Sequence, residues 1–528
     1  MATDAPQRRW QALCPNCGAP VEFASAASVS AVCGFCRSTL IREGDALRKI
    51  GQSAELIEDY SPLQLGAAGR FSGEAFTIVG RLQLSYAEGS WNEWHALFDH
   101  GKSAWLSEDN GSFVMAFEAE LSEPAPQVAA LRLGDSLRLA GTAWTVSALT
   151  RTTLAAAQGE LPRAPALNQQ FLVAELRNAA NEVGSLEYVQ PQAPQWSVGR
   201  PVRIADLAMT GLREDSSKTL ASRSLPCPNC GAALEPKLGS TLSISCPQCR
   251  AVVDISKGAV GELAHFAQAH GGNPQIPLGS VGSLAWAGGK PMHWQVVGYQ
   301  ERCDIPDPGA DDETTFWREY LLFNKTEGFV FLVDAEDGWS LVRPLTGAPT
   351  AAGSSVDWQG RSYRRKYAYT AKTTYVLGEF YWQVRRDERA LVIDYESPAR
   401  GTTPKALLSR EQTGDEVTWS QGLALDAAEV ARAFKVAPAA QAALRRDASP
   451  ILAHGSAIRS VIIAVVLILV LMMLLRACSR DSCRAFADSF GPNSAEYQQC
   501  RRSSGVGGFI GGAGGSYGGY SSGGGGHK

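Results

Sequence analysis

Along most of the chain, apolar and polar residues alternate in short runs, and a period of two marks strands with one buried face. Phe76-Thr-Ile-Val-Gly80 is such a run, followed by Trp91-Asn-Glu-Trp-His-Ala-Leu-Phe98. The same order returns as Trp294-Gln-Val-Val-Gly298 and Trp317-Arg-Glu-Tyr-Leu-Leu-Phe323. After each Trp-containing strand come a glycine (Gly101, Gly328), a second apolar stretch and an acidic turn, Glu108-Asp-Asn-Gly111 or Ala335-Glu-Asp-Gly338. Asn-Gly and Asp-Gly between alternating runs are the strongest short hairpin signal. Alternation resumes from Asp135 to Val146 in the first half, and over Arg361 to Tyr369 and Tyr375 to Val384 in the second. Trp196-Ser-Val-Gly and Trp419-Ser-Gln-Gly close the two halves, while helical patterning is sparse and clearest from Leu425 to Phe434. Many short strands at regular spacing predict a mainly β chain with two small barrel- or sandwich-like repeat units.

One segment breaks this pattern. Ser460 to Leu475 is apolar on every face and bracketed by Arg459 and Arg476. At 1.5 Å per residue the run makes a helix of about 24 Å, and Ile458 with snorkelling arginines extends it toward the roughly 30 Å hydrocarbon core. A single transmembrane helix over 457–477 is therefore expected. Flanking positive charges tie, with Arg445, Arg446 and Arg459 against Arg476, Arg480 and Arg484, so they set no orientation. Residues 478–528 form a Gly/Ser-rich tail expected to be disordered. The stretch Met1 to Leu13 has no apolar core and does not read as a secretory signal.

The cysteines add chemistry to this outline. Eight of the twelve fall into two groups, Cys14-Pro-Asn-Cys17 with Cys33-Gly-Phe-Cys36, and Cys227-Pro-Asn-Cys230 with Cys246-Pro-Gln-Cys249. In both groups fifteen residues separate the two C-x2-C turns, a spacing that reads as a zinc site. Each turn aims two thiolates at one point, and two turns complete a closed tetrahedron of sulfurs. Gly18 and Gly231 suit the positive φ such turns need, and Val29–Val32 and Leu242–Ser245 read as strands of a small hairpin. Two structural zinc ions are expected, each a staple for a core too small to fold alone. A catalytic zinc would keep a position open, and a redox C-x2-C would be one pair beside a βαβ unit. A redox-active protein cycling these pairs is one alternative. Zinc thiolates favour a reducing cytosol for the large N-terminal part, which places the tail outside, where Cys483 and Cys500 are candidates for a disulfide.

Charge and the remaining motifs narrow the function. A net charge of −4, with few charges in the ribbon loops, gives no electrostatic reason to expect a nucleic acid. Gly101-Lys102-Ser103 lacks the leading glycine and the helix of a phosphate-binding loop. His265 and His270 are five apart, off the spacing that puts two metal ligands on one helix face. No catalytic set is discernible, and a non-catalytic protein is expected. On a strand, Trp91 with Glu93 and Trp317 with Glu319 share a face. These four residues are candidates for binding a cation, a polyamine for instance, through ring and carboxylate together. The competing expectation makes the tryptophans core and buries the carboxylates in hydrogen bonds or with an arginine.

The W-x-E-[WY]-x-[LA] segments at Trp91–Ala96 and Trp317–Leu322, each with its following apolar strand and D/N-G turn, resemble a bacterial family described as domain of unknown function 4178. Two copies are placed near 62–200 and 277–397, and His95 and Ala96 depart from the apolar pattern in the first. The ribbons resemble CPxCG zinc modules. The resemblance implies no activity. It does imply association with bacterial envelope and stress systems, sometimes beside aminopropyltransferase-like or membrane-remodelling proteins. The expected plan is a ribbon (1–44), a β unit (45–205), a linker (206–224), a second ribbon (225–256) and a second β unit (257–440), then a juxtamembrane linker (441–456), the anchor and the tail. The expected role is a scaffold or binding protein on the bacterial inner membrane, facing the cytosol, with protein partners in an envelope-associated assembly.

Overall fold

A computed structural model describes the chain between residues 10 and 444, except 26–27, 44–45, 54–60, 88, 110–111, 166–168, 214–223, 239–240, 256–262, 269–272, 287–288, 307–313, 400–404, 439–440 and 442–443. The expected transmembrane segment 457–477 and the Cys483–Cys500 pair lie outside the described residues. Among those residues, no helix is long and apolar enough to cross a membrane.

Alternating runs become strands throughout. The first half contains β1 (Ala68–Phe71), β2 (Glu74–Ser85), β3 (Ser90–Phe98), β4 (Ser103–Asp109), β5 (Ser112–Ala119), β6 (Ser136–Leu139), β7 (Thr142–Leu161), β8 (Gln170–Arg177), β9 (Val183–Tyr188) and β10 (Gln195–Val202). In the second half, β11 (Val281–Leu284), β12 (Met292–Ile305), β13 (Phe316–Asn324), β14 (Gly328–Ala335), β15 (Gly338–Leu345), β16 (Ser355–Trp358), β17 (Arg361–Phe380), β18 (Arg389–Ser397), β19 (Ala406–Thr413) and β20 (Glu416–Leu425) repeat the series.

Each half closes on itself. Strands β2 to β5 form a meander. Strand β5 then pairs with β10, and the chain returns through β9 and β8 to β7. Antiparallel pairing of β7 with β2 completes an eight-stranded barrel, with β1 and β6 added as hairpin arms. The second half has the same order, from β12–β13–β14–β15 to β20–β19–β18–β17 and back to β12. Closure removes the exposed edges an open sheet would present.

The repeat runs deeper than strand order. Bulges skip Ala155 where β7 meets β2 and Thr374 where β17 meets β12, and they skip Ser147 against β8 and Lys366 against β18. The long strand is where the sequence reading differs most. Arg361–Tyr369 and Tyr375–Val384 suggested two strands, but β17 runs unbroken through the polar stretch Thr370-Ala-Lys-Thr-Thr374. Polar side chains are tolerated there because both edges are paired, on β18 and on β12. The helix α1 (Ala427–Ala433) is capped by the Asp426 side chain accepting from Ala428 N at 2.9 Å, and it buries Val430 and Ala431 in a cluster with Trp339, Leu341 and Tyr320. The two barrels touch where Leu149 N donates to Asp415 O (3.1 Å) and Arg177 Nη1 donates to Thr346 O (2.7 Å).

Candidate metal centres and the barrel interiors

The C-P-x-C-G turns fold as tight hairpin knuckles. Gly18 N donates to Cys14 O and Gly231 N to Cys227 O, both at 2.8 Å. The residue after each second cysteine is left-handed: Gly18 (φ 73°), Arg37 (φ 56°), Gly231 (φ 74°) and Arg250 (φ 62°). The two glycines fit this need from sequence, whereas the two arginines carry no such signal. Knuckle by knuckle, the four sulfurs of each ribbon converge to within 4.8 Å of one another. Cys14 Sγ lies 3.6 Å from Cys36 Sγ, and Cys17–Cys33, Cys227–Cys249 and Cys230–Cys246 are each 3.7 Å apart.

Those separations are diagnostic. A disulfide would need about 2.05 Å. A tetrahedron with metal–sulfur bonds of about 2.3 Å, the zinc–thiolate length, has edges of about 3.8 Å. Four soft sulfurs at tetrahedral spacing fit a metal ion with a closed shell. The thiols of each ribbon differ: against the lowering effect of the Ala19 and Ala232 amides, hydrogen bonds to Cys36 and Cys249 push Cys17 and Cys230 up to about 12, while one thiol of each second knuckle goes down. The Ser38 hydroxyl (3.2 Å) and amide hold the Cys36 thiol down to about 5. Burial opposes ionisation at Cys249, yet the Asn229 side chain and the Ala251 amide bring it down to about 6. The thiolate is the ligand form.

Each ribbon is built onto its barrel. Strand Ser30–Val32 pairs with the end of β7, setting Ala31 against Glu160, and Ser243–Ser245 pairs with the end of β17, setting Ile244 against Glu379. The first ribbon's sheet runs on through Ser38–Glu43 and Ala46–Gln52. The two glutamates then make the same clasp. Glu379 accepts from Lys237 N (2.9 and 3.0 Å), Leu238 N (3.0 Å) and Thr241 Oγ1 (2.6 Å). Glu160 accepts from Ala24 N, from Ser25 N (3.3 Å) and from Ser28 Oγ (2.8 Å). In both cases a barrel carboxylate holds the loop between the two knuckles. Ribbon side chains also enter barrel packing: Val252 joins the cluster of Phe380 and Trp382, and Val32 that of Ala157 and Leu161. Neither glutamate stood out in the sequence. The available signal was the recurrence of Gly159-Glu160 as Gly378-Glu379.

The glycines of these dipeptides are required. Gly159 (φ 71°) and Gly378 (φ 88°) sit in the left-handed region, and a Cβ on either would lie 2.3 Å from a carbonyl of the neighbouring strand, Val79 O or Val297 O.

The candidate ligand-binding residues turn inward. Trp91 Nε1 donates to Glu93 Oε1 (2.9 Å), which also accepts from Ser107 Oγ (3.0 Å). Trp317 Nε1 donates to Glu319 Oε1 (2.7 Å), and Gln300 Nε2 donates to Glu319 Oε2 (2.6 Å). Arg302 reaches across the second barrel to Glu319 (3.5 Å) and Glu411 (2.8 Å), all three buried. Nearby Asp394 accepts from Tyr369 Oη at 2.9 Å, and burial pushes its carboxyl up to about 8. His95, where the second copy has Leu321, is buried between Glu160 O and Ser103 Oγ (2.9 Å each), and that burial lowers its pKa. Gly101 (φ 89°) is the turn between β3 and β4, and Cys303 is buried in β12. His265 is exposed on a short strand of the second ribbon, and His270 lies outside the described residues.

Together these features define a tandem eight-stranded barrel protein with a tetracysteine ribbon clasped to the end of each barrel's longest strand. The profile of the family "Domain of unknown function (DUF4178)" matches residues 64–203 and 290–427, more than half of the chain, and the chain belongs to that family. Each match covers one barrel. The second extends past the expected limit at 397 to include β19 and β20, without which the barrel would not close. No curated protein and no solved structure matches the chain.

Proposed function

We propose that the protein is a non-catalytic scaffold or binding protein of the bacterial envelope, with each barrel braced by a structural zinc ion and the whole tethered to the inner membrane by residues 457–477. The observation that carries this reading is the twofold clasp. In both repeats the metal-competent ribbon is hydrogen-bonded into its barrel through a strand and a buried glutamate. A ribbon held this way has the metal as the centre of a folding unit, which is what four thiolates with no open position support. Inside the second barrel Glu319, Glu411 and Arg302 are engaged with one another. A cytosolic position for the barrels and their protein partners belongs to this proposal because the cytosol keeps such thiolates reduced.

Membrane fractionation tests the tether. Carbonate-washed inner membranes should retain the full chain and release a chain lacking 457–477. Release of both would refute anchoring by that segment.

A further inference from the structure

The two barrels share a register, yet the same outer face is covered in the first and open in the second. In the first barrel residues 120–135, between β5 and β6, form a strap. Its Leu121, Ala125 and Leu131 pack on Leu172, Leu186 and Tyr188, and Tyr188 Oη donates to Pro126 O at 2.7 Å. The matching connection between β15 and β16, residues 346–354, is seven residues shorter. With the long-strand bulges aligned, pairing makes Leu391 the counterpart of Leu172, Arg410 of Leu186 and Gln412 of Tyr188. Leu172 and Leu186 are 9% and 0% exposed, whereas Leu391 is 54% exposed and Ile393, Arg410 and Gln412 are partly exposed. The first barrel reaches the edge of this face, where Leu133 packs against the cluster of Leu408 and Trp419.

The open face is also basic. Ala371 and Ala390 pair across β17 and β18 and point into the barrel, so the alternate pairs Lys372–Arg389, Thr370–Leu391 and Ala368–Ile393 point out. Ile393 pairs in turn with Arg410, and Arg365 lies on the same side beyond the bulge. The counterparts of Arg365, Lys372, Arg389 and Arg410 are Val146, Thr153, Gln170 and Leu186, all uncharged, although Arg151 stands at the position of Thr370. None of the four cations forms an ion pair among the described residues. Arg410 Nη2 meets only the Gln412 side chain, at 3.2 Å, and burial pushes its pKa down.

We propose that this face of the second barrel binds an extended acidic segment of a partner protein, laid where the strap lies in the first. An apolar side chain of that segment covers Leu391 and Ile393, and its carboxylates meet the surrounding cations. The strap shows the chemistry that suits such a face. Its run Phe117-Glu-Ala-Glu-Leu-Ser-Glu-Pro-Ala-Pro-Gln-Val128 carries three carboxylates, Leu121 and two prolines that favour an extended backbone. A nucleic acid would satisfy the cations but set Leu391 and Ile393 against phosphates. This partner chemistry rests on the reading of the protein as a binding scaffold.

Fluorescence anisotropy on the detergent-extracted full chain, with a labelled synthetic peptide of the sequence 117–128 as probe, tests it. Saturable binding with a Kd below about 100 μM at low salt is expected, and a peptide with glutamine for each glutamate should bind at least about tenfold more weakly. Arg410→Gln and Leu391→Asp should each weaken binding by about tenfold or more, and Arg151→Gln on the first barrel should leave it unchanged. If Leu391→Asp lowers the melting temperature, Arg410→Gln and Arg389→Gln decide. No saturable binding up to about 1 mM, equal binding of the glutamine peptide, or binding of a thymidine oligonucleotide at these residues in place of the peptide would overturn the proposal. Any of these results with membrane retention intact strikes this face alone and leaves the tethered scaffold standing.

Discussion

Glu379→Ala cuts the clasp of the second ribbon while leaving every cysteine in place. The carboxylate accepts from two backbone amides and one hydroxyl, and Glu379 itself is only 7% exposed. Hydrogen bonds to a charged acceptor are worth about 1.5–3 kcal/mol each, and the loop recovers part of that loss by turning its donors to water. A net cost of about 3–6 kcal/mol follows, borne by the docking of loop 237–241 more than by global stability. In amide hydrogen exchange on the zinc-loaded protein, Lys237 and Leu238 should then exchange faster by about two to four orders of magnitude. Zinc should also leave the second ribbon faster under chelation, with the first ribbon, held by Glu160, as internal control. Unchanged protection at Lys237 and Leu238, with equal chelation rates, would refute the clasp as a structural link between ribbon and barrel.

Other outcomes follow from the same contacts. Gly378→Ala forces a Cβ to 2.3 Å from Val297 O at φ 88°, so it should lower the melting temperature by an amount equivalent to at least about 3 kcal/mol. Arg302→Met strands Glu319 and Glu411 without their buried cation and should cost about 3–5 kcal/mol in denaturant unfolding, partly restored by adding Glu411→Gln. Burial raises the Asp394 carboxyl to about 8, above its unfolded value, so its neutral form contributes stability that is full below about pH 4 and is lost as pH rises toward 8. The stability difference between wild type and Asp394→Asn should accordingly favour the wild type more at pH 5 than at pH 8. Identical pH dependence of the two melting curves would contradict the assignment.

Much of this architecture was legible in the sequence because it rests on local periodicity. Alternating runs around Phe76, Trp91, Trp294 and Trp317 became strands, and Gly18 and Gly231 took the left-handed conformations their knuckles require. The spacing of the cysteines found both four-sulfur clusters because metal ligation by paired C-x2-C turns depends on that spacing. What stayed hidden depends on pairing across sequence distance. Strand β17 reads as two runs because Thr370 to Thr374 is polar, and only its neighbours on both edges make it continuous. Glu160 and Glu379 look like solvated strand ends until the ribbon loops fold back onto them. The inward turn of the Trp–Glu pairs likewise depends on barrel closure, which no single strand encodes.

Metal content under reducing conditions tests the central claim most directly. The full chain, purified in detergent without added zinc, should carry about two zinc ions per molecule. Cys14, Cys17, Cys33, Cys36, Cys227, Cys230, Cys246 and Cys249 should react with a thiol reagent only after chelation. Little bound metal, with the same eight cysteines freely reactive or joined in disulfides, would contradict the account and make redox chemistry of the C-x2-C pairs the leading explanation.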